Sequence, residues 1–230
     1  MKYQWIVFDA DETLFHFDAF AGLKQLFSHY NIVFEKSDFD EFQAVNKPLW
    51  IDYQNGTISA KALQVRRFTA WGERLDVDPV LLNQQFIEAM ADICQCLPGA
   101  RKLLELLQGK AKLAIITNGF TALQKVRLAR TDLTHFFEHV IISEQVGVAK
   151  PNIAIFDHAL SLFGNPDKSS VLMVGDTLSS DILGGKNAGL DTCWINHEGE
   201  KVEDTVGATY QVGCLTGLYN LIKSFETEHV

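Results

Sequence analysis

Trp5-Ile6-Val7-Phe8-Asp9-Ala10-Asp11-Glu12-Thr13-Leu14 decides the fold. Four consecutive large apolar residues give way at once to three acids, Asp9, Asp11 and Glu12. A run that is short and apolar at every position predicts a strand buried on both faces, as in a parallel sheet covered by helices. Acids placed directly after such a strand stand at its carboxyl end, where doubly wound sheets bind their ligands.

The same pattern recurs along the chain. Leu113 to Ile116 runs into Thr117-Asn118-Gly119, and Val171 to Val174 into Gly175-Asp176-Thr177, with Asp181 a little further on. Val140 to Ile142 is followed by Gly147-Val148-Ala149-Lys150-Pro151, and Thr192 to Ile195 is one more strand of this kind. Amphipathic stretches lie between them: Ala100 to Leu107, Ala122 to Phe137, Ile153 to Phe163 ending at Gly164, and Asp181 to Ala188 ending at Gly189. Strands that alternate with helices predict right-handed crossovers and an α/β fold with helices on both sides of a parallel sheet.

One interval breaks the alternation. About a hundred residues separate the first run from the second, where a simple crossover needs about a dozen or more. The inserted patterns are helical: Phe20, Leu23, Leu26, Phe27 and Tyr30 share a face, and helices are expected around Phe39 to Trp50, Ala60 to Trp71 and Val80 to Ile93. Asp78-Pro79 suits the start of the last, a capping acid before a proline at the first helical position. Residues 16–96 therefore read as a four-helix cap domain and 1–15 with 97–230 as the core, with Leu97-Pro98-Gly99 returning the chain.

The balance of 20 Lys and Arg against 29 Asp and Glu gives a net charge of −9. Such a surface repels polyanions, which argues against nucleic acid polymers and anionic membranes as partners. The N-terminus meets an acid before an apolar run reaches signal-peptide length, so a cytoplasmic location is expected. Cys94, Cys96, Cys193 and Cys214 are too scattered for a disulfide framework and read as free thiols. His135 and His139, spaced as neighbours on a helix face, lack a third ligand and read as structural.

Taken singly, each polar loop has an ordinary reading. Asp-x-Asp after a strand is common in turns, Thr117-Asn118-Gly119 is a turn and cap, Lys150 is a surface lysine, and Asp176 and Asp181 are helix caps. Jointly they place carboxylates, a hydroxyl, an ammonium and helix-start amides on one edge of one sheet. Clustered carboxylates repel a phosphate dianion, so a phosphoryl-handling site built from them requires a divalent cation, and all-oxygen donors suit Mg²⁺, with Mn²⁺ as the substitute. Thr117, the amides near Asn118 and Lys150 can then hold phosphoryl oxygens.

Phe8-Asp9-Ala10-Asp11-Glu12-Thr13-Leu14, Thr117-Asn118-Gly119, Lys150-Pro151 and Gly175-Asp176 through Asp181 resemble the four signatures of the haloacid dehalogenase-like superfamily, and the resemblance spans essentially the whole chain. It implies a Rossmann-like sheet of order 3-2-1-4-5 that brings Asp9 beside Asp176. It also implies residue roles: Asp9 the nucleophile that forms an aspartyl-phosphate, Asp11 the general acid and base, Thr117 and Lys150 the phosphate-holding pair. Mg²⁺ would be held by the Asp9 carboxylate, the Asp11 carbonyl and Asp176, with Asp181 orienting a metal-bound water.

Glu12-Thr13 departs from the usual Gly-Thr or Asp-Thr, and Asp11 separates the chain from the metal-independent dehalogenases of the superfamily. The opening motif, Thr117-Asn118-Gly119-Phe120 and Gly175-Asp176-Thr177-Leu178-Ser179-Ser180-Asp181 most resemble bacterial house-cleaning pyrimidine 5'-nucleotidases. The expected substrate is therefore a nucleoside monophosphate such as dUMP, UMP or dTMP, taken by a monomer or weak homodimer. A phosphatase of sugar or small-acid phosphates is the alternative enzyme. A phospho-acceptor signalling domain, the non-enzyme alternative, would need an acceptor acid after the third strand, where Ile142-Ser143-Glu144 offers no aspartate. Substrate choice is expected from the cap, whose aromatics include Trp50, Tyr53, Phe68 and Trp71, together with Phe15, Phe17 and His16.

Overall fold

The computed structural model describes residues 1–199 and 207–227; the end of the expected core segment, 228–230, lies outside them. In chain order the elements are β1 (Trp5–Phe8), α1 (Ala19–Ser28), α2 (Lys36–Gln54), α3 (Ala60–Arg66), α4 (Thr69–Leu75), α5 (Pro79–Asp92), α6 (Ala100–Leu107) and β2 (Lys112–Thr117). There follow α7 (Thr121–Arg130), β3 (His139–Ile142), α8 (Ser143–Val146), α9 (Ile153–Leu162), β4 (Val171–Gly175), α10 (Leu183–Asn187), β5 (Asp191–Ile195), β6 (Tyr210–Val212) and α11 (Leu215–Thr227). The chain divides into two compact units, one of Met1–His16, Gln95–Gly119 and Leu128–Val230, the other of Phe17–Cys94 with Phe120–Arg127.

The first unit carries a six-stranded sheet of order β3-β2-β1-β4-β5-β6, parallel throughout. The order expected for the first five strands is the one found. β1 is central because its side chains are buried on both faces: Trp5 and Val7 join Ala114, Ile116, Ile141 and Met173 in a core layer covered by Ile155, Phe156, Ala159 and Leu160 of α9. β6 extends the sheet at an edge. Tyr210 and Val212 are only partly buried and Gln211 is exposed, so no apolar run announces it. The chain leaves and re-enters this unit as paired segments, with His16 N–H donating to Gln95 O at 2.9 Å and Leu97 N–H to Leu14 O at 2.9 Å.

The inserted residues form five helices, α1 to α5, rather than four. The stretch from Ala60 to Trp71 keeps its apolar periodicity yet breaks after Arg66. There the Phe68 N–H turns to Val65 O at 3.1 Å, and the Thr69 hydroxyl donates to the same carbonyl at 3.3 Å, a competition that interrupts the helical ladder. Arg67 at the break is buried and donates to Asn83 Oδ1 at 3.0 Å through Nε. Burial pushes the guanidinium down to about 9. α5 begins as expected, with Asp78 accepting from Val80 N–H at 2.8 Å and Pro79 at the first helical position.

Other helix ends also differ from the periodicity. α7 stops at Arg130 because Asp132 takes a left-handed φ of 51° and Leu133 N–H closes back on Leu128 O at 3.0 Å, a helix-ending geometry. His135 then falls in a 3₁₀ turn and His139 in β3, so they share no helix face. His139 stacks on Trp5 with ring centroids 5.8 Å apart. None of the four cysteines is in a disulfide, and Cys94 and Cys96 follow α5. Among the described residues no helix is long and apolar enough to cross a membrane.

Candidate active site

β1 and β4 pair with Phe8 opposite Val174, and Asp9 N–H donates to Val174 O at 2.8 Å. The two strands therefore leave the sheet side by side, with Asp9 and Asp176 at the carboxyl edge. Asp181 reaches the same place by a different route. Instead of the expected α-helix from Asp181, the segment Leu178–Ile182 is π-helical, with Ile182 N–H reaching Thr177 O at 3.4 Å. A wide turn of this kind redirects side chains and recurs at functional sites. Asp181 is buried, and its Oδ2 accepts from Thr177 N–H at 3.0 Å while Oδ1 accepts from the Ser180 hydroxyl at 3.2 Å. A Cβ at Gly175 would stand 2.2 Å from Asp181 Oδ2, so only glycine lets the carboxylate fold over the strand end.

Carboxylate oxygens of Asp9, Asp176 and Asp181 lie within 4.8 Å of one another. Lys150, 1% exposed, sits between two of them: Nζ donates to Asp9 Oδ1 at 2.5 Å, to Asp181 Oδ1 at 2.7 Å and to Ile116 O at 2.7 Å. Asn118 anchors the lysine's backbone, its Nδ2 donating to Lys150 O at 3.0 Å and its Oδ1 accepting from Lys150 N–H at 2.8 Å. Thr117, buried at the end of β2, accepts from Gly119 N–H through Oγ1 at 3.0 Å. Asp11 lies on the turn after β1, bridged to Phe15 and half-buried.

Burial pushes Asp9 up to about 8 against the pull of Lys150, with Asp181, Asp11 and Asp176 adding to the rise. Burial and the charge of Asp181 push Asp176 up to about 6. Burial alone would lower the Lys150 ammonium, but Asp181 and Asp9 together hold it above its ordinary value. One ammonium thus faces two carboxylates directly, and a third remains beside them. Three oxygen-bearing acids with excess negative charge are a donor set suited to a hard divalent cation.

Further side chains border the site, of which Trp194 was given no role there by the motifs. Thr13 donates to Asp176 Oδ1 at 3.3 Å. Trp194, expected to pack in its strand, is buried as expected, and its indole N–H donates to Asp176 O at 2.7 Å. His16 Nδ1 is paired with Glu12 Oε1 at 3.0 Å. The one available signal was chemical: a buried indole must find an acceptor.

At the carboxyl edge of this doubly wound sheet three aspartates and a buried lysine come together, and residues 3–189 match the haloacid dehalogenase-like hydrolase family; the chain belongs to it. The chain is 57% identical to the pyrimidine 5'-nucleotidase YjjG of Escherichia coli K12 over 222 residues, covering 96% of this chain and 99% of that protein. It is 34% identical to the pyrimidine 5'-nucleotidase PynA of Streptococcus pneumoniae over 217 residues, covering 92% of each. A magnesium-bound crystal structure of Bacillus subtilis YfnB superposes with a TM-score of 0.85 at 29% identity, covering 97% of this chain and 100% of that one.

Proposed function

We propose that the protein is a Mg²⁺-dependent 5'-nucleotidase that hydrolyses pyrimidine nucleoside monophosphates through an aspartyl-phosphate on Asp9. The observation that carries the reading is the joint one of Asp9 held by Lys150 among acids in a chain 57% identical to a pyrimidine 5'-nucleotidase. Residues 1–15 with 97–230 act as the catalytic core and 16–96 as the substrate-selecting cap, to which Phe120–Arg127 is added by its packing. Acidic composition supports a small-molecule substrate, without nucleic acid polymers or membranes as partners, for a cytoplasmic monomer or weak homodimer.

The chemistry runs through the side chains of this site. Asp9 Oδ attacks phosphorus and the bond to O5' breaks, with Asp11 giving its proton to O5'. Water then attacks the same phosphorus, Asp11 takes the water's proton, the bond to Asp9 breaks and phosphate leaves. The Thr117 hydroxyl and the amides around Asn118 hold the phosphoryl oxygens. All three Lys150 protons are engaged in this structure, so the lysine reaches a phosphoryl oxygen by exchanging one of those contacts. Mg²⁺ would be held by the Asp9 carboxylate, the Asp11 carbonyl and Asp176, with Asp181 as a further acid, and would supply the charge neutralisation that lets a carboxylate approach a phosphate dianion.

Chelation is expected to abolish phosphate release from dUMP, UMP and dTMP, and Mg²⁺ to restore it, with Mn²⁺ substituting. Mg²⁺ should also raise the unfolding temperature, and Asp176→Asn should remove that rise while keeping the fold. Full activity in excess chelator would end the metal reading. Faster release from sugar or small-acid phosphates than from these nucleotides would transfer the assignment to the alternative phosphatase.

Base choice is assigned to Trp50 rather than Trp71. Trp71 is 7% exposed and lies against Phe27 with centroids 4.2 Å apart, a core position. Trp50 is half-buried and stacks on Phe120 at 5.3 Å. Trp50→Ala should change the kcat/KM ratio of pyrimidine to purine monophosphates several-fold, while Trp71→Ala should lower stability by about 3–5 kcal/mol. An unchanged ratio in folded Trp50→Ala would make this tryptophan packing as well.

A further inference from the structure

Glu12, one residue beyond the proposed acid and base, has a φ of 51°. For a residue with a Cβ this left-handed backbone costs about 1–2 kcal/mol and persists only where its surroundings hold it. Three contacts hold it here. Its N–H donates to Phe15 O at 2.7 Å, its carboxylate faces His16 Nδ1 at 3.0 Å, and its carbonyl lies 2.7 Å from His197 Nε2. A carbonyl only accepts, so Nε2 carries the proton and the tautomer is set. The Glu12–His16 pair is well exposed, at 38% and 56%, and such pairs contribute little.

His197 comes from far along the chain, on the turn after β5. The same strand end carries Trp194, whose indole N–H donates to Asp176 O. One strand end thus ties down both the loop of Asp11 and the loop of Asp176. We propose that His197 is a positioning residue for Asp11: by holding the Glu12 carbonyl it keeps the Asp11–Glu12 turn in its left-handed form and the Asp11 carboxyl aimed at the leaving oxygen. Without that bond the turn relaxes toward the right-handed region and Asp11 moves, and displacement of a catalytic group by about 1 Å costs about 10² in rate. The inference rests on the reading of Asp11 as acid and base.

The test compares a nucleoside monophosphate, whose alkoxide leaves only with a proton, with an aryl phosphate, whose phenoxide leaves without one. Single-turnover rates of leaving-group release are measured at saturating Mg²⁺ for wild type, His197→Ala, His197→Gln and Asp11→Asn, with unfolding temperatures alongside. His197→Ala is expected to slow release from the nucleotide by about 10–100-fold with KM nearly unchanged, and from the aryl phosphate by much less. His197→Gln, which keeps a donor near the Nε2 position, should recover most of the loss. Asp11→Asn should show the same leaving-group dependence with a larger loss, about 10² to 10⁴ on the nucleotide.

Equal losses on both substrates in Asp11→Asn would overturn the role of Asp11 and the inference with it. Leaving-group dependence in Asp11→Asn, with equal or absent losses in His197→Ala, would overturn the inference alone. Should His197→Ala fail to fold, His197→Gln decides: near-wild-type release from both substrates supports the inference, and equal slowing on both overturns it.

Discussion

Asp9→Asn is expected to lower turnover of every phosphomonoester by about 10⁴-fold or more, because an amide cannot attack phosphorus. The substitution should also change how stability depends on pH. Burial pushes Asp9 up to about 8 from about 3.9 in the unfolded chain. Between those values the folded state holds a proton that the unfolded state has released, so in chelator this aspartate makes stability fall as pH rises from about 4 to about 8. Asp176, pushed up to about 6, contributes the lower part of the same fall. Denaturant unfolding in chelator should show a shallower decline for Asp9→Asn than for wild type. Retained turnover within about a hundredfold of wild type would assign the attack to another group.

Lys150→Met is expected to destabilise the protein by about 3–5 kcal/mol, the cost of removing one partner from a buried ion pair. The lysine is 1% exposed and bridges Asp9 and Asp181, so its loss leaves two carboxylates facing each other in a medium that stabilises neither. Urea midpoints at pH 8 in chelator check the loss. A deficit under about 1 kcal/mol at pH 8 would mean that the lysine does not balance this cluster.

The sheet was legible because its strands are apolar at every position, a pattern that few other environments tolerate. β1 and β4 kept the lengths of their runs to within a residue, and Phe156 and Leu160 fell on the covering helix. The helical unit was less legible. The periodicity from Ala60 to Trp71 passes unbroken through Arg67 and Phe68, because the two residues at the break are themselves both buried. The signal for the break lay in the Thr69 hydroxyl, which competes for a backbone carbonyl, and apolar spacing does not register such competition. β6 was silent because an edge strand with half-exposed residues needs no apolar run.

Local sequence determined which residues stand at the carboxyl edge: a buried parallel strand must end, and the acid, hydroxyl or glycine that ends it is written directly after it. Tertiary structure alone decided which of them meet. The Lys150 contact with Asp9 joins residues 141 apart and that of His197 with Glu12 residues 185 apart. Neither distance is set by any local period; both follow from sheet order and register, which bring separate strand ends to one place. The π-helical turn that carries Asp181 into the cluster is likewise a response to that place, where a buried lysine and a close glycine accept a carboxylate that helical spacing alone would have directed elsewhere.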